Sequence, residues 1–317
     1  MKVLANDGIS EIGIKTLEAK KFEVITSKIE QEKLIDFINK KGIEVLLVRS
    51  ATKVKKELID KCPNLKIVGR GGVGMDNIDV EHAKKKGIEV INTPAASSLS
   101  VAELVFTHFF NTSRYVHDSN RKMALEGERS FKALKKTYSK GTELNGKTLG
   151  IVGFGRIGQE VAKIAIGLGM KIVAHDKFIK NSTINLSFFD NQKMSFEIKT
   201  TTLKRVLTES DCITFHIPKN EKKAFIGKKE FKMMKDGVLI VNAARGGVID
   251  EMELIQALET GKVRSAGLDV FENEPNPKIK LLMNEKISLS PHIGGSTIEA
   301  QDRIGIELAN KIINFYN

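Results

Sequence analysis

The sequence predicts an α/β protein built on two doubly wound parallel sheets. Short apolar runs alternate with longer segments of helical period. Some runs, such as 148–152 and 238–242, are almost wholly Val, Ile and Leu, as strands covered on both faces require. The alternation also occurs twice, on either side of a long apolar helical stretch. A chain of 317 residues exceeds one ordinary core, so two domains are expected.

The first series places strands at 3–6, 22–26, 45–48, 66–68 and 90–92, with helices between them at 31–41 and 79–86. A proline and serine turn, Asn92-Thr93-Pro94 to Ser97-Ser98, supplies helix-capping residues before a helical segment over 99–125. The second series follows at 148–152, 171–174, 212–216, 238–242, 266–270 and 287–289. A second break, Ser290-Pro291-His292-Ile293-Gly294-Gly295, precedes a last helix over 297–315. Two such breaks point to a split domain, with the last helix returning to the N-terminal lobe. The segment 177–200 reads as long and polar, without an assigned element.

Composition narrows the function. Hydrophobic residues make up 41% and charged residues 28%, with 6 prolines, a globular balance. No apolar run reaches the roughly 18–20 residues of a membrane span, and the N-terminus reads as a strand rather than a signal peptide. Cys62 and Cys212 stand alone, without metal spacing, so a reducing cytoplasm and no bound metal are expected. The formal charge is +12, but the lysines are scattered and only Lys84-Lys85-Lys86 forms a run of three. A nucleic-acid binder would gather its charge into a stripe, so no nucleic acid is expected as partner.

The glycine pattern G-x-G-x-x-G occurs twice, and context separates the two. Gly153-Phe154-Gly155-Arg156-Ile157-Gly158 follows a strand directly and opens into an amphipathic helix. The next strand runs into Asp176, whose carboxylate is placed to take the adenosine ribose hydroxyls while the helix N-terminus receives a pyrophosphate. An acid there also repels a 2′-phosphate, so NAD is favoured over NADP. The other match, Gly69-Arg70-Gly71-Gly72-Val73-Gly74, continues into Met75-Asp76-Asn77-Ile78-Asp79, turn and capping chemistry. It reads equally as a tight turn or as a nest of N–H groups for a small carboxylate.

Oxidation of a hydroxyl by a nicotinamide needs a base, a cation for the carboxylate and a group that orients the base. Of the six histidines, His82, His108 and His117 read as surface or packing residues, and His175 and His216 as strand ends lining the cofactor groove. His292, after a proline and at a strand tip, suits the base. Arg245, in Val241-Asn242-Ala243-Ala244-Arg245-Gly246-Gly247, suits the cation through its forked donors. Glu274 and Glu272, in Asp269-Val-Phe-Glu272-Asn-Glu274-Pro275, compete for the orienting role.

These motifs resemble those of the D-isomer-specific 2-hydroxyacid dehydrogenases over nearly the whole chain. Gly-Phe-Gly-Arg-Ile-Gly, Val-Asn-Ala-Ala-Arg-Gly-Gly-Val-Ile-Asp, Gly-Leu-Asp-Val-Phe-Glu-Asn-Glu-Pro and Ser-Pro-His-Ile-Gly-Gly-Ser-Thr occur in that order. Carried over, the family's catalytic arginine, glutamate and histidine fall on Arg245, Glu274 and His292, which selects Glu274 over Glu272. The resemblance implies a Rossmann NAD domain, residues 99–290, inserted in a flavodoxin-like substrate domain, residues 1–98 with 291–317, and an active site in the cleft. It implies cofactor contacts from Gly153, Gly155, Arg156, Ile157, Gly158, Asp176, His216, Pro218, Ala243, Ala244, Asp269 and Gly294.

Within the family the chain is most similar to members that oxidise 3-phospho-D-glycerate to 3-phosphooxypyruvate, a step of serine biosynthesis. Val48-Arg49-Ser-Ala-Thr-Lys53-Val54, the Gly69–Asp79 loop and Gly141-Thr-Glu-Leu-Asn-Gly-Lys-Thr-Leu-Gly150 carry that likeness. It implies substrate contacts from Gly72, Val73 and Gly74 and makes Arg49, and after it Lys53, candidates for holding the substrate phosphate. A hydroxypyruvate or glyoxylate reductase, or a D-lactate-type enzyme, is the same-class alternative, and a dinucleotide-sensing binding protein a remote one. Lys219-Asn220-Glu221-Lys222-Lys223 departs from the family pattern and puts groove contacts from that loop in doubt. A homodimer joined near 99–110 is implied. The sequence ends at Asn317, and no inhibition by serine through an added regulatory domain is expected.

Overall fold

The computed structural model describes residues 1–220 and 223–317. Glu221 and Lys222 of the divergent loop lie outside the described residues. The chain divides into two compact units, residues 1–100 with 295–317 and residues 101–294.

In chain order the first unit holds β1 (Lys2–Ala5), α1 (Glu11–Glu18), β2 (Glu23–Ile25), α2 (Leu34–Lys41) and β3 (Val45–Val48). It continues through α3 (Lys56–Lys61), β4 (Ile67–Arg70), α4 (Val80–Lys85) and β5 (Glu89–Asn92). The strands form one parallel sheet in the order β2-β1-β3-β4-β5. Successive side chains of a strand face opposite sides, and the core follows that rule. Val3, Ala5, Val45, Leu47 and Ile67 pack on one face, while Leu4, Leu46, Val48 and Val68 pack on the other. The C-terminal helix, residues 298–316, closes the first of these faces with Ile304, Leu308 and Ile312 at four-residue spacing. Thr297 caps it by accepting the backbone N–H of Ala300.

The boundary between the units falls inside α5 (Ser98–Arg114). The sequence suggests one helix over 99–125, but Tyr115 adopts a left-handed φ of 56° that interrupts the helical ladder. α6 (Val116–Thr137) then runs twelve residues beyond the expected end. Next come β6 (Thr148–Val152), α7 (Arg156–Gly167) and β7 (Lys171–His175). The segment 177–200 forms an antiparallel hairpin, β8 (Asn181–Ser187) with β9 (Lys193–Lys199). Its cross-strand pairs Ser182↔Ile198, Ile184↔Phe196 and Leu186↔Met194 share a face, and Ile184 is buried in the core beside α7. That period-two pattern lies in the sequence between polar neighbours, which masked it.

α8 (Leu203–Glu209), β10 (Cys212–Phe215), α9 (Lys228–Met233), β11 (Val238–Asn242) and α10 (Glu251–Glu259) follow. Then come β12 (Val263–Leu268), α11 (Ile279–Leu282), β13 (Ile287–Leu289) and the C-terminal helix α12 (Ile298–Tyr316). The second sheet is parallel, in the order β13-β12-β11-β10-β6-β7. Strand order therefore reverses between β6 and β10, and open α/β sheets bind ligands at such a switch, beyond the C-terminal ends of their strands.

Candidate functional site

The turn after β6 stands at that switch. Gly153 has a left-handed φ of 93°, and a Cβ there would lie 2.4 Å from the carbonyl oxygen of His216, just past β10. A Cβ on Gly158 would lie 2.2 Å from the Gly153 carbonyl oxygen. Both glycines are thus required by the protein's own packing. Gly155 differs, because a Cβ there would meet no heavy atom of the described residues within 4 Å beyond its own chain neighbours. It is also the N-cap of the 12-residue helix α7 and gives it no side-chain cap. A bare helix N-terminus beside open space is a ready place for an anion. Arg156 is exposed and Ile157 partly buried in the first turn.

Asp176 follows β7 and binds back to this turn. One carboxylate oxygen accepts the N–H of Phe154 at 2.7 Å, and the other accepts those of Phe178 and Ile179 at 2.8 and 3.0 Å. Burial works to raise its pKa, yet these backbone donors prevail and hold it below the usual aspartate value. The two oxygens together offer about four acceptor sites and these backbone donors take three, so capacity remains for a hydroxyl. His175 places Nδ1 2.7 Å from the Thr201 carbonyl oxygen. His216 pairs through Nε2 with Thr214 Oγ1 at 3.1 Å, while its buried Nδ1 has no hydrogen-bond partner among the described residues. Pro218 is exposed. Next to it, a Cβ on Gly247 would lie 3.0 Å from Lys219 Cε.

The catalytic candidates occupy three neighbouring strand ends. Beyond β11, the Asn242 side chain donates to the Arg245 carbonyl at 3.0 Å and accepts from Ala244 N at 3.1 Å, which shapes the turn holding buried Ala243 and Ala244. Arg245 itself donates from NH1 to the Ala244 carbonyl at 2.7 Å. A Cβ on Gly246 would overlap the Phe271 carbonyl oxygen at 1.7 Å, so the arginine turn lies against the segment after β12. There Glu274 accepts the N–H of Phe271 at 2.9 Å with one oxygen, and its other oxygen lies 2.8 Å from Nδ1 of His292. Glu272 is engaged elsewhere, with Lys278 and the backbone N–H of Glu251. Of the two glutamates, Glu274 is the one in contact with the imidazole among the described residues.

His292 has a left-handed φ of 54°, a conformation that costs a non-glycine residue about 1 kcal/mol. Asp269, just past β12, secures it. Its carboxylate accepts Ser290 Oγ–H at 2.6 Å, Ile293 N–H at 2.8 Å and Gly294 N–H at 2.9 Å, bonds on both sides of the histidine. Burial raises the Asp269 pKa above its ordinary value, against the pull of these donors and of His292.

In the first unit, Arg49 follows β3 and Arg70 ends β4, with Val48 paired to Arg70 in register. Asn77 links them, donating to the carbonyls of Arg49 and Thr52 at 2.6 Å each and accepting from Arg70 Nε at 3.1 Å. Asp7 accepts the N–H groups of Arg49 and Thr52 at 2.7 and 3.1 Å and pairs with Lys28. Arg49 is half-buried, which depresses its pKa, while Asp7 opposes that. In the loop of Gly72, Val73 and Gly74, Asn92 Nδ2 donates to the Val73 carbonyl at 2.9 Å. Arg70 and Asn77 carry no signal of their own in the sequence, where both lie in the glycine-rich stretch 69–79. The Lys53 backbone pairs with the Gln31 side chain through both its N–H and its carbonyl, each at 2.9 Å.

The open middle glycine, the bare helix start and the acid after β7 fit a dinucleotide. Among the described residues no group of three or more His, Cys, Asp or Glu could hold a metal, and no helix is long and apolar enough to cross a membrane. Fold and site define a dinucleotide-dependent oxidoreductase.

Comparison with known proteins narrows the class. Residues 106–294 match the family model described as D-isomer specific 2-hydroxyacid dehydrogenase, NAD binding domain. A hydroxypyruvate reductase of Thermotoga maritima is 43% identical, covering 98% of this chain and 97% of its own length. A D-3-phosphoglycerate dehydrogenase of Methanocaldococcus jannaschii is 40% identical over 98% of this chain, which spans only 57% of that relative. The crystal structure of a glyoxylate reductase from Paecilomyes thermophila superposes with a TM-score of 0.82 at 30% identity, covering 99% of this chain and 94% of its own. The chain belongs to the D-isomer-specific 2-hydroxyacid dehydrogenases, NAD-dependent oxidoreductases acting on small 2-hydroxy acids.

Proposed function

We propose that the chain interconverts 3-phospho-D-glycerate and 3-phosphooxypyruvate, a reaction of serine biosynthesis, with His292 as acid and base. The contact between Glu274 and His292 Nδ1, 2.8 Å, carries the chemical part of this reading. A carboxylate at Nδ1 selects the tautomer with its proton there. Nε2 is then free to take the hydroxyl proton during oxidation and to return it during reduction. Arg245 holds the substrate carboxylate through its forked donors and polarises the reacting oxygen. NAD, when bound, supplies the carbon that accepts or returns the hydride.

The N–H groups of Gly155, Arg156 and Ile157 would hold the pyrophosphate, with Gly153 and Gly158 shaping the turn, and Asp176 the adenosine ribose. His216, Pro218, Ala243, Ala244, Asp269 and Gly294 would line the nicotinamide end. The first unit would act as the substrate domain and the second as the NAD domain. Gly72, Val73 and Gly74 would bind the substrate carboxylate.

The phosphate reading is supported by Arg49 and Arg70 at adjacent strand ends, braced by one asparagine. Hydroxypyruvate reduction is the second reading, favoured by the Thermotoga relative that matches from end to end. A panel of hydroxypyruvate, 3-phosphooxypyruvate and glyoxylate, assayed by NADH loss with the parent and Arg49→Ala, separates them. Loss of kcat/KM confined to the phosphorylated substrate supports the first reading, and equal losses on all three the second.

A homodimer is also proposed. Phe110, Val116, Met123, Leu125 and Phe131 remain exposed along α5 and α6. Light scattering showing a monomer at micromolar concentration would refute it.

A further inference from the structure

His108 reads in the sequence as a surface or packing residue, yet both nitrogens of its buried ring are engaged. On α5 and only 2% exposed, it places Nδ1 2.9 Å from Ser288 Oγ and Nε2 2.9 Å from Ser290 Oγ. Ser290 Oγ lies 2.6 Å from Asp269 Oδ1, and at the other end Ser288 Oγ lies 3.3 Å from Asn111 Nδ2. An amide nitrogen only donates and a carboxylate only accepts. With Asp269 ionised, Ser290 gives it its only proton and must accept from His108 Nε2–H; in a neutral imidazole Nδ1 then accepts, so Ser288 donates to it and accepts from Asn111. Asn111 donates to Ser288, Ser288 to His108 Nδ1, His108 Nε2–H to Ser290, and Ser290 to Asp269. Each hydroxyl donates once and accepts once, and the neutral imidazole carries its proton on Nε2.

We propose that His108 and Ser290 are positioning residues for the dehydrogenase reaction, their buried hydrogen-bond chain keeping the Asp269 carboxylate ionised at the His292 turn. The proposal rests on the reading of His292 as acid and base. Asp269 is the anchor of Ile293 and Gly294, the residues that follow His292, so a protonated Asp269 would give up acceptors that hold the turn. Burial already works against its charge, and aligned donors offset that burial. The imidazole of His108 is itself kept neutral, burial and then His117 on α6 pushing it down to about 4. The titratable groups acting on the chain are thus His117 from α6 and His292 from the turn after β13. His117 is fixed by the carbonyls of Asn111 and Glu285, and His292 by Glu274.

The test follows the pH profile of kcat/KM for reduction, using the best substrate among hydroxypyruvate, 3-phosphooxypyruvate and glyoxylate. In that direction the acid limb includes loss of the Asp269 anion. Ser290→Ala and His108→Leu are expected to move this limb up by about 0.5–1 pH unit, the worth of one net hydrogen bond. The double variant should move it no further, because both changes cut one chain. His108→Gln, which keeps a donor toward Ser290, should stay with the parent. NADH binding, followed by fluorescence, should be retained in all of them. An unmoved limb in Ser290→Ala overturns the proposal, as does an equal shift in His108→Gln and His108→Leu. Ser290→Ala removes a single oxygen and decides the matter even where His108→Leu does not fold. His292→Ala is measured in parallel. Parental turnover there would remove the acid and base reading itself, whereas collapsed turnover with unmoved limbs elsewhere removes the His108 chain alone.

Discussion

The carboxylate of Asp176 accepts the backbone N–H of Phe154 at 2.7 Å, so the acid after β7 and the glycine turn after β6 form one structure. The residue expected to choose the cofactor therefore also braces the turn that would cradle it.

Asp176→Ala should weaken NAD binding about tenfold to a hundredfold, the scale of a lost charged hydrogen bond. The ratio of NAD to NADP affinity should fall at the same time, because the repulsion of a 2′-phosphate is gone. Titration calorimetry with both nucleotides measures this, and an unchanged ratio would count against the ribose assignment.

The glycine turn makes a paired prediction. Gly153→Ala must place a methyl 2.4 Å from the His216 carbonyl in a left-handed backbone, and should destabilise the fold by on the order of 2–4 kcal/mol. Gly155→Ala meets no heavy atom of the described residues within 4 Å beyond its own chain neighbours, so its melting temperature should stay near the parent while NAD affinity drops. Thermal melts with and without NAD distinguish the two. A Gly155→Ala protein that binds NAD normally would show that the open space serves something else.

His292→Ala should lower kcat about 100- to 10,000-fold while NAD binding persists. Glu274→Gln should lower kcat roughly tenfold or more with a smaller change in KM, because the amide no longer fixes the imidazole tautomer through the 2.8 Å contact. Steady-state kinetics on both variants checks this, and equal turnover in parent and Glu274→Gln would leave the glutamate a structural role only.

Acid should weaken the fold through His108. Its folded pKa of about 4 lies below the 6.5 of a free imidazole. Between those values the unfolded chain binds a proton that the folded chain does not, so stability falls as pH drops through this window. The contribution is up to about 3 kcal/mol, fully present above pH 6.5 and lost by pH 4. Asp269, raised by burial, has the opposite slope at the acid end. The stability difference between parent and His108→Gln, from urea melts at pH 4 to 7, isolates the histidine. A difference that does not change with pH contradicts it.

Both sheets were legible in the sequence because strands covered on two faces have a near-continuous apolar signature, as in 238–242. The NAD turn was legible through its context, a strand, a helix and an acid in fixed order. The Glu274 and Glu272 choice was legible only through the family resemblance, since local sequence sets both before the same proline; in the structure it is Glu274 that contacts His292. The break at Tyr115 escaped because a left-handed tyrosine carries no glycine to announce it. The His108 chain escaped for a different reason: its partners Ser288 and Ser290 lie 180 and 182 residues away, and nothing local marks such a pairing.

The first unit takes its last helix from the far end of the chain. α12 crosses α1 where Gly13 and Gly305 meet, a Cβ on Gly13 falling 2.9 Å from the Gly305 Cα. On the ribosome the second unit, continuous from 101 to 294, can fold as soon as it emerges. The first unit must wait with one apolar face of its sheet uncovered until residues 298–316 are released, and this interval is when the nascent chain is most open to chaperones or to aggregation.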